Sequence, residues 1–114
     1  MAFIRTALLT LLVTSSFLFI SNFAQAASWT GKMSYYKAPT STGCAHRFLP
    51  FGTRLKVTNL QNGRQTILTV RDRGPFIRGR IIDVSLHAAD VLGLRHAGVA
   101  RVRIETVSGQ TAMN

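Results

Sequence analysis

Acidic residues are scarce in this chain, with four Asp and Glu in 114 residues against fourteen Lys and Arg. A carboxylate here is therefore not one of many on a mixed surface, and each invites an account of its own. Cysteine is scarcer still. Cys44 is the only one, which excludes an internal disulfide. A Cys44-x-His46 pair would need an orienting partner or further ligands before it could act as a nucleophile or a metal site, and none stands at suitable spacing. No cluster of His, Asp and Glu at ligand spacing occurs elsewhere, so neither a metal nor a cofactor is expected. The apolar run from Ala7 to Ile20 is too short and too weakly flanked for a transmembrane span. Repeats and low-complexity tracts are absent, and no array of aromatics interleaved with basic residues offers a platform for stacking bases.

What is present at the N-terminus reads as an export leader. Arg5 gives a positive start, the apolar run follows, and Ala24-Gln25-Ala26 places small residues where a signal peptidase cuts. Residues 1–26 are thus expected to be a signal peptide and 27–114 one small domain, near the lower size at which a single core suffices. Arg5 is the only charge in the leader, so the domain stays strongly basic and will seek polyanions. An exported chain rarely meets nucleic acid, which leaves cell-wall carboxylates and anionic head groups. The expected location is periplasmic or secreted.

Periodicity predicts a small β-rich domain. Trp29 to Tyr36 is a first strand, and Lys37 to Cys44, with Pro39, Gly43 and several Ser and Thr, is a loop. Arg54 to Thr58 alternates polar and apolar residues, and Gln65 to Val70 is a second β-branched run. Asn62-Gly63 between them signals a hairpin with a two-residue type I′ turn. Ser85 is placed to cap a short helix, Leu86 to Leu92, with Gly93 as its stop and Asp83 near its positive end. Val99 to Val107 closes the chain as another alternating strand. Many short strands with one helix fit a small closed barrel.

Two of the four carboxylates fall in one stretch, Arg71-Asp72-Arg73-Gly74-Pro75-Phe76-Ile77-Arg78-Gly79-Arg80-Ile81-Ile82-Asp83-Val84-Ser85. Together with His46-Arg47-Phe48-Leu49-Pro50-Phe51-Gly52-Thr53 and Val57-Thr58-Asn59-Leu60-Gln61-Asn62-Gly63-Arg64, in this order, the stretch resembles the rare lipoprotein A family from about Gly31 to Val107. The resemblance implies a mainly β fold, a six-stranded double-psi β-barrel with one short helix. It also implies lytic transglycosylase activity on peptidoglycan glycan strands. A non-catalytic, expansin-like peptidoglycan-binding barrel is the alternative. Unlike the lipoprotein members, this chain has no cysteine near position 26, so a soluble monomer without a lasting membrane anchor is expected. Nor is the C-terminal peptidoglycan-binding repeat domain of many members expected so close to the chain end.

Cleaving a glycosidic bond requires a positioned acid for the leaving oxygen. In a lytic transglycosylase the muramic 6-hydroxyl is the nucleophile, so one carboxyl can first give a proton and later take one. Asp72 is the leading candidate, with Asp83 and His46 as further catalytic candidates; His46 is expected to bond Asp72 or a sugar hydroxyl. Arg71, Arg73, Arg78, Tyr36 and Thr42 complete the set as strand-binding residues. On a strand, Arg71 and Arg73 would point to the face opposite Asp72 and leave it free of their charge. Taken without the resemblance, Asp72 reads as a turn aspartate capping the Arg73 and Gly74 amides. One departure stands out. The family pattern has a Thr-x-Ser-Gly-Glu segment before its histidine, and here no Glu occurs between Gly31 and Asp72.

Overall fold

The computed structural model describes residues 27–107. The expected signal peptide, residues 1–26, lies outside the described residues, as does the end of the expected domain beyond Val107. The elements run β1 (Ser28–Tyr36), β2 (Gly43–Ala45), β3 (Arg54–Asn59), β4 (Gln65–Asp72), β5 (Arg80–Ser85), α1 (Leu86–Leu92) and β6 (Ala100–Thr106). The strands close into one barrel in the order β1-β5-β2-β4-β3-β6. β1 lies parallel to β5 and β2 parallel to β4, while the remaining pairs are antiparallel. The β1–β2 connection skips β5 and the β4–β5 connection skips β2, so the two crossings interlock. This is the six-stranded double-psi barrel with one helix.

The alternation of side chains explains the closure. On β3, Leu55 and Val57 point inward; on β6, Ala100, Val102 and Ile104 do so between the more exposed Arg101, Arg103 and Glu105. With Met33, Leu68, Val70, Ile82 and Val84 they form one core, which Ala88, Ala89 and Leu92 of α1 seal. Each fully buried aliphatic side chain contributes about 1.5–3 kcal/mol. Closure leaves no unpaired edge among these short strands.

The helix obeys its local signals. Ser85 Oγ accepts from Ala88 N at 3.1 Å, and Gly93 ends the helix at φ 72°. The same Ser85 hydroxyl donates to Ser41 O, tying the β1–β2 connection to the helix start. Three expectations need correction. The loop expected from Lys37 to Cys44 gives way to a strand at Gly43, and that strand is completely buried. The Asn62-Gly63 hairpin forms, but Asn59 N donates to Arg64 O at 2.8 Å, so the turn holds four residues and not two, with Gly63 in the left-handed region at φ 81°. Asp83 does not serve the helix end, because it lies in β5 with its carboxylate on Ser34.

Candidate active site

Strand pairing brings the two carboxylates to one row. Ala45 of β2 pairs with Asp72 on β4 and with Asp83 on β5, and Asp83 pairs in turn with Ser34 on β1. Paired residues share a face, so Ser34, Asp83, Ala45 and Asp72 lie side by side on the face opposite the core. Two strand spacings put the α-carbons of Asp72 and Asp83 ~10 Å apart. The methyl of Ala45, buried, is the floor between them.

A bulge sets the phase of Asp72. Cys44 pairs with Val70 but Ala45 with Asp72, leaving Arg71 as the extra residue on β4. Val70 is in the core, and strict alternation would turn Asp72 inward as well. The bulge re-aims it, as bulges beside functional sites do. Arg71 is consequently on the exposed side too, lying against Gly43, where an added Cβ would meet Arg71 Cγ at 3.5 Å. The expectation that Arg71 points to the face opposite Asp72 fails for this reason.

Each carboxylate has one hydroxyl partner. Tyr36 Oη donates to Asp72 Oδ2, and Ser34 Oγ donates to Asp83 Oδ1. Asp72 is thus tied to a side chain on another strand, not to the turn that follows it. The Tyr36 phenol is pushed well above the usual tyrosine range by burial, by its bond to Asp72 and by the nearby charges of Asp72 and Asp83. It is a fixed donor at any physiological pH. Ser34 was not among the residues singled out from the sequence. It stands two before Tyr36 on one strand, hence on the same face, and that period of two was the available signal.

His46 does something other than reach for Asp72. Its backbone N donates to Asp72 O at 3.0 Å, while its Nδ1 accepts from the amides of Phe48 and Leu49 at 3.3 and 3.2 Å. The ring is 3% exposed and packs 5.9 Å from Trp29 and edge-on to Phe48 at 4.7 Å. Burial first, then Arg47 and Arg73, lower its pKa. A neutral ring with Nδ1 accepting carries its proton on Nε2. His46 therefore organises the loop that follows β2.

Arg73 is similarly engaged. It donates to His46 O at 3.1 Å and Leu49 O at 2.7 Å, and its guanidinium lies 4.3 Å from the centre of the Phe51 ring. Arg78 and Thr42 are exposed, and Thr42 O accepts from Thr69 N at 2.9 Å. The Gly74–Pro75 bond is cis. Among the described residues, no group of three His, Cys, Asp or Glu is placed to hold a metal ion.

Cys44 sits in the core with no exposed surface, and burial first, then the charge of Asp72, push its thiol up to about 12. It should resist alkylation by iodoacetamide at pH 8 in the folded protein and react once denaturant is added. Between about pH 9 and 12 the unfolded thiol ionises while the folded one does not, so the unfolded state binds fewer protons and stability falls as pH rises. A Cys44→Ala protein should show a shallower alkaline loss of melting midpoint; an equal slope would count against the burial argument.

A family model described as lytic transglycolase matches residues 23–104. The chain is 48% identical over 96 residues to a probable endolytic peptidoglycan transglycosylase RlpA of Nostoc sp., covering 75% of this chain and 26% of that protein. It is 45% identical over 91 residues to the endolytic peptidoglycan transglycosylase RlpA of Vibrio cholerae, covering 72% and 34%. The chain thus spans about a quarter to a third of the length of these relatives. Among solved structures, the Streptomyces papain inhibitor superposes with a TM-score of 0.57 at 24% identity, covering 71% of this chain and 94% of that one. The Clavibacter michiganensis expansin superposes with a TM-score of 0.59 at 20% identity, covering 73% and 52%. At these identities the two structures speak for the fold alone.

Proposed function

The chain belongs to the lytic transglycolase family, and from that membership we propose that it is an exported endolytic enzyme that cuts peptidoglycan glycan strands to anhydromuramic ends. The observation that carries the reading is the row in which Asp72 and Asp83, each with its own hydroxyl donor, flank the small Ala45 on one face. In the proposed step, protonated Asp72 gives its proton to the glycosidic oxygen as the bond from C1 to that oxygen breaks. The 6-hydroxyl of the same muramic sugar closes on C1, and its proton goes to the Asp72 carboxylate. Atoms and charge balance without water. Tyr36 holds Oδ2 of Asp72 in place and leaves the other oxygen for the strand. Asp83, held by Ser34, lies on the same face and offers negative charge to the positive character that develops at C1. Arg71, Arg78 and Thr42, exposed around the row, are the proposed strand contacts. His46 and Arg73 act by shaping the loop.

On this reading the protein works as a monomer in the periplasm or outside the cell, on a glycan and not on nucleic acid, with no lasting membrane anchor. The second reading, a barrel that binds the wall without cutting it, draws on the missing Glu and on a β1–β2 connection of only Lys37–Thr42. Purified strands, with and without stem peptides, should yield anhydro ends by mass spectrometry when incubated with the residues 27–114 protein. Ordinary reducing ends would make it a hydrolase. No new ends from either substrate, with wall binding kept, would favour the second reading.

A further inference from the structure

Among the described residues, the exposed large apolar side chains are Phe48, Phe51, Ile67, Phe76, Ile77 and Val91. Four of these six, Phe48, Phe51, Phe76 and Ile77, lie on the two loops that follow the carboxylate row, one after Ala45 and one after Asp72. β2 and β4 are parallel, so both loops leave the same end of the barrel. They are also stitched together. Arg73 of the second loop bonds His46 O and Leu49 O of the first and stacks on Phe51, and Arg47 of the first donates to Arg80 O beyond the second at 3.3 Å. In the sequence Phe76 stands 28 residues from Phe48; the fold brings their two loops to the same end of the barrel.

We propose that Phe48 and Phe76, on this clamped pair of loops, form a sugar-stacking platform that holds the glycan strand on one side of the carboxylates. The proposal rests on the glycan reading above for its ligand, though its test needs no cleavage. Exposed apolar side chains gathered on two cross-bonded loops beside a row of polar groups mark a ligand or partner site. A sugar ring presents a C–H face to an aromatic ring and keeps its hydroxyls at the edge, which matches flat, open rings. Phe48 and Phe76 are 65% and 75% exposed. Phe48 is propped edge-on by Trp29 at 6.4 Å and by His46, and the Phe76 ring lies over Gly74, where an added Cβ would meet it at 3.5 Å. Phe51 has a face taken by Arg73 and serves the clamp instead. Arg47 and Arg78, exposed on the same two loops, complement the carboxylates of muramic sugars. Preformed rings bind without a large ordering cost. Continuity with the Asp72 row favours the strand over a lipid surface as occupant, because a polymer lying along the row must pass the loops that begin there.

The test compares Phe48→Ala/Phe76→Ala with a control, Ile67→Ala/Val91→Ala, which removes as many exposed apolar side chains elsewhere. Cosedimentation with purified peptide-free strands should weaken on the order of tenfold in the first protein and not in the second, from two ring contacts of modest worth each. KM for strands should rise by more than kcat falls. Phe48→Tyr/Phe76→Tyr, which keeps both rings, should bind like the wild type. Unchanged strand affinity in the double alanine protein overturns the platform. So does a loss confined to vesicles of anionic phospholipid, which would make the loops a membrane contact. If the wild type forms no anhydro ends, cosedimentation still decides, since a platform for a non-cutting barrel would lose strand binding all the same.

Discussion

Asp72→Asn should lower strand cleavage by about a hundredfold to ten-thousandfold while leaving the melting midpoint almost unchanged. The amide oxygen of Asn still accepts from Tyr36 Oη, and the side chain keeps its size at the half-buried end of β4. What disappears is the proton that the proposed step gives to the leaving oxygen. If Asp72 were only a fastening for Tyr36 or for its turn, the signature would reverse, with about 1 kcal/mol of stability lost and cleavage largely kept. Anhydro-product release and thermal midpoint, measured on one protein, separate these outcomes. An early-melting variant that cuts at the wild-type rate would return Asp72 to a structural role. Asp83→Asn belongs beside it. Because Asp83 rests on Ser34 and not on the helix end, its replacement should cost activity more than it costs stability.

Much of this arrangement was legible in the residues. The alternation on β3 and β6, the Ser85 cap and the Gly93 stop are local signals, and the fold obeys them. β2 was not legible, because three buried residues, Gly43 to Ala45, carry no period and sit among turn-forming residues. Yet β2 is the strand that brings Asp72 and Asp83 to one row. The bulge at Arg71 was equally hidden, since it exists only in the pairing of β4 with a strand the pattern did not reveal. Asp72 and Asp83 could be picked out by their rarity and by resemblance. Their partners, Tyr36 and Ser34, come from a strand distant in sequence, and only the β1-β5-β2-β4 strand order brings them together. His46 shows the opposite case. Its position was marked by its motif, but its Nδ1 is engaged by the amides of Phe48 and Leu49 and not by Asp72.

The largest loss of stability is expected from Ile82→Ala. Ile82 has no exposed surface and pairs with Met33, also fully buried, immediately before the Ser34–Asp83 pair of β1 and β5. Removing its side chain should cost about 2–5 kcal/mol, the transfer of the lost carbons plus the cavity they leave. For a small domain, whose total stability is about 5–15 kcal/mol, that is a large share. The neighbouring residue gives the change its functional meaning. Ile82 points inward and Asp83 outward, so the burial that seats Ile82 fixes the height at which Asp83 meets Ser34 and Ala45. Denaturant midpoints should therefore fall sharply for Ile82→Ala and less for Ile81→Ala, whose side chain is only half-buried against the core. Well below its melting range the Ile82→Ala protein should retain part of its cleavage, unlike Asp72→Asn, because the carboxylates remain and only their setting loosens. A variant whose unfolding free energy stays within about 1 kcal/mol of wild type would mean that Ile82 does not seat β5. The placement of Asp83 beside Ser34 and Ala45 would then lose its support.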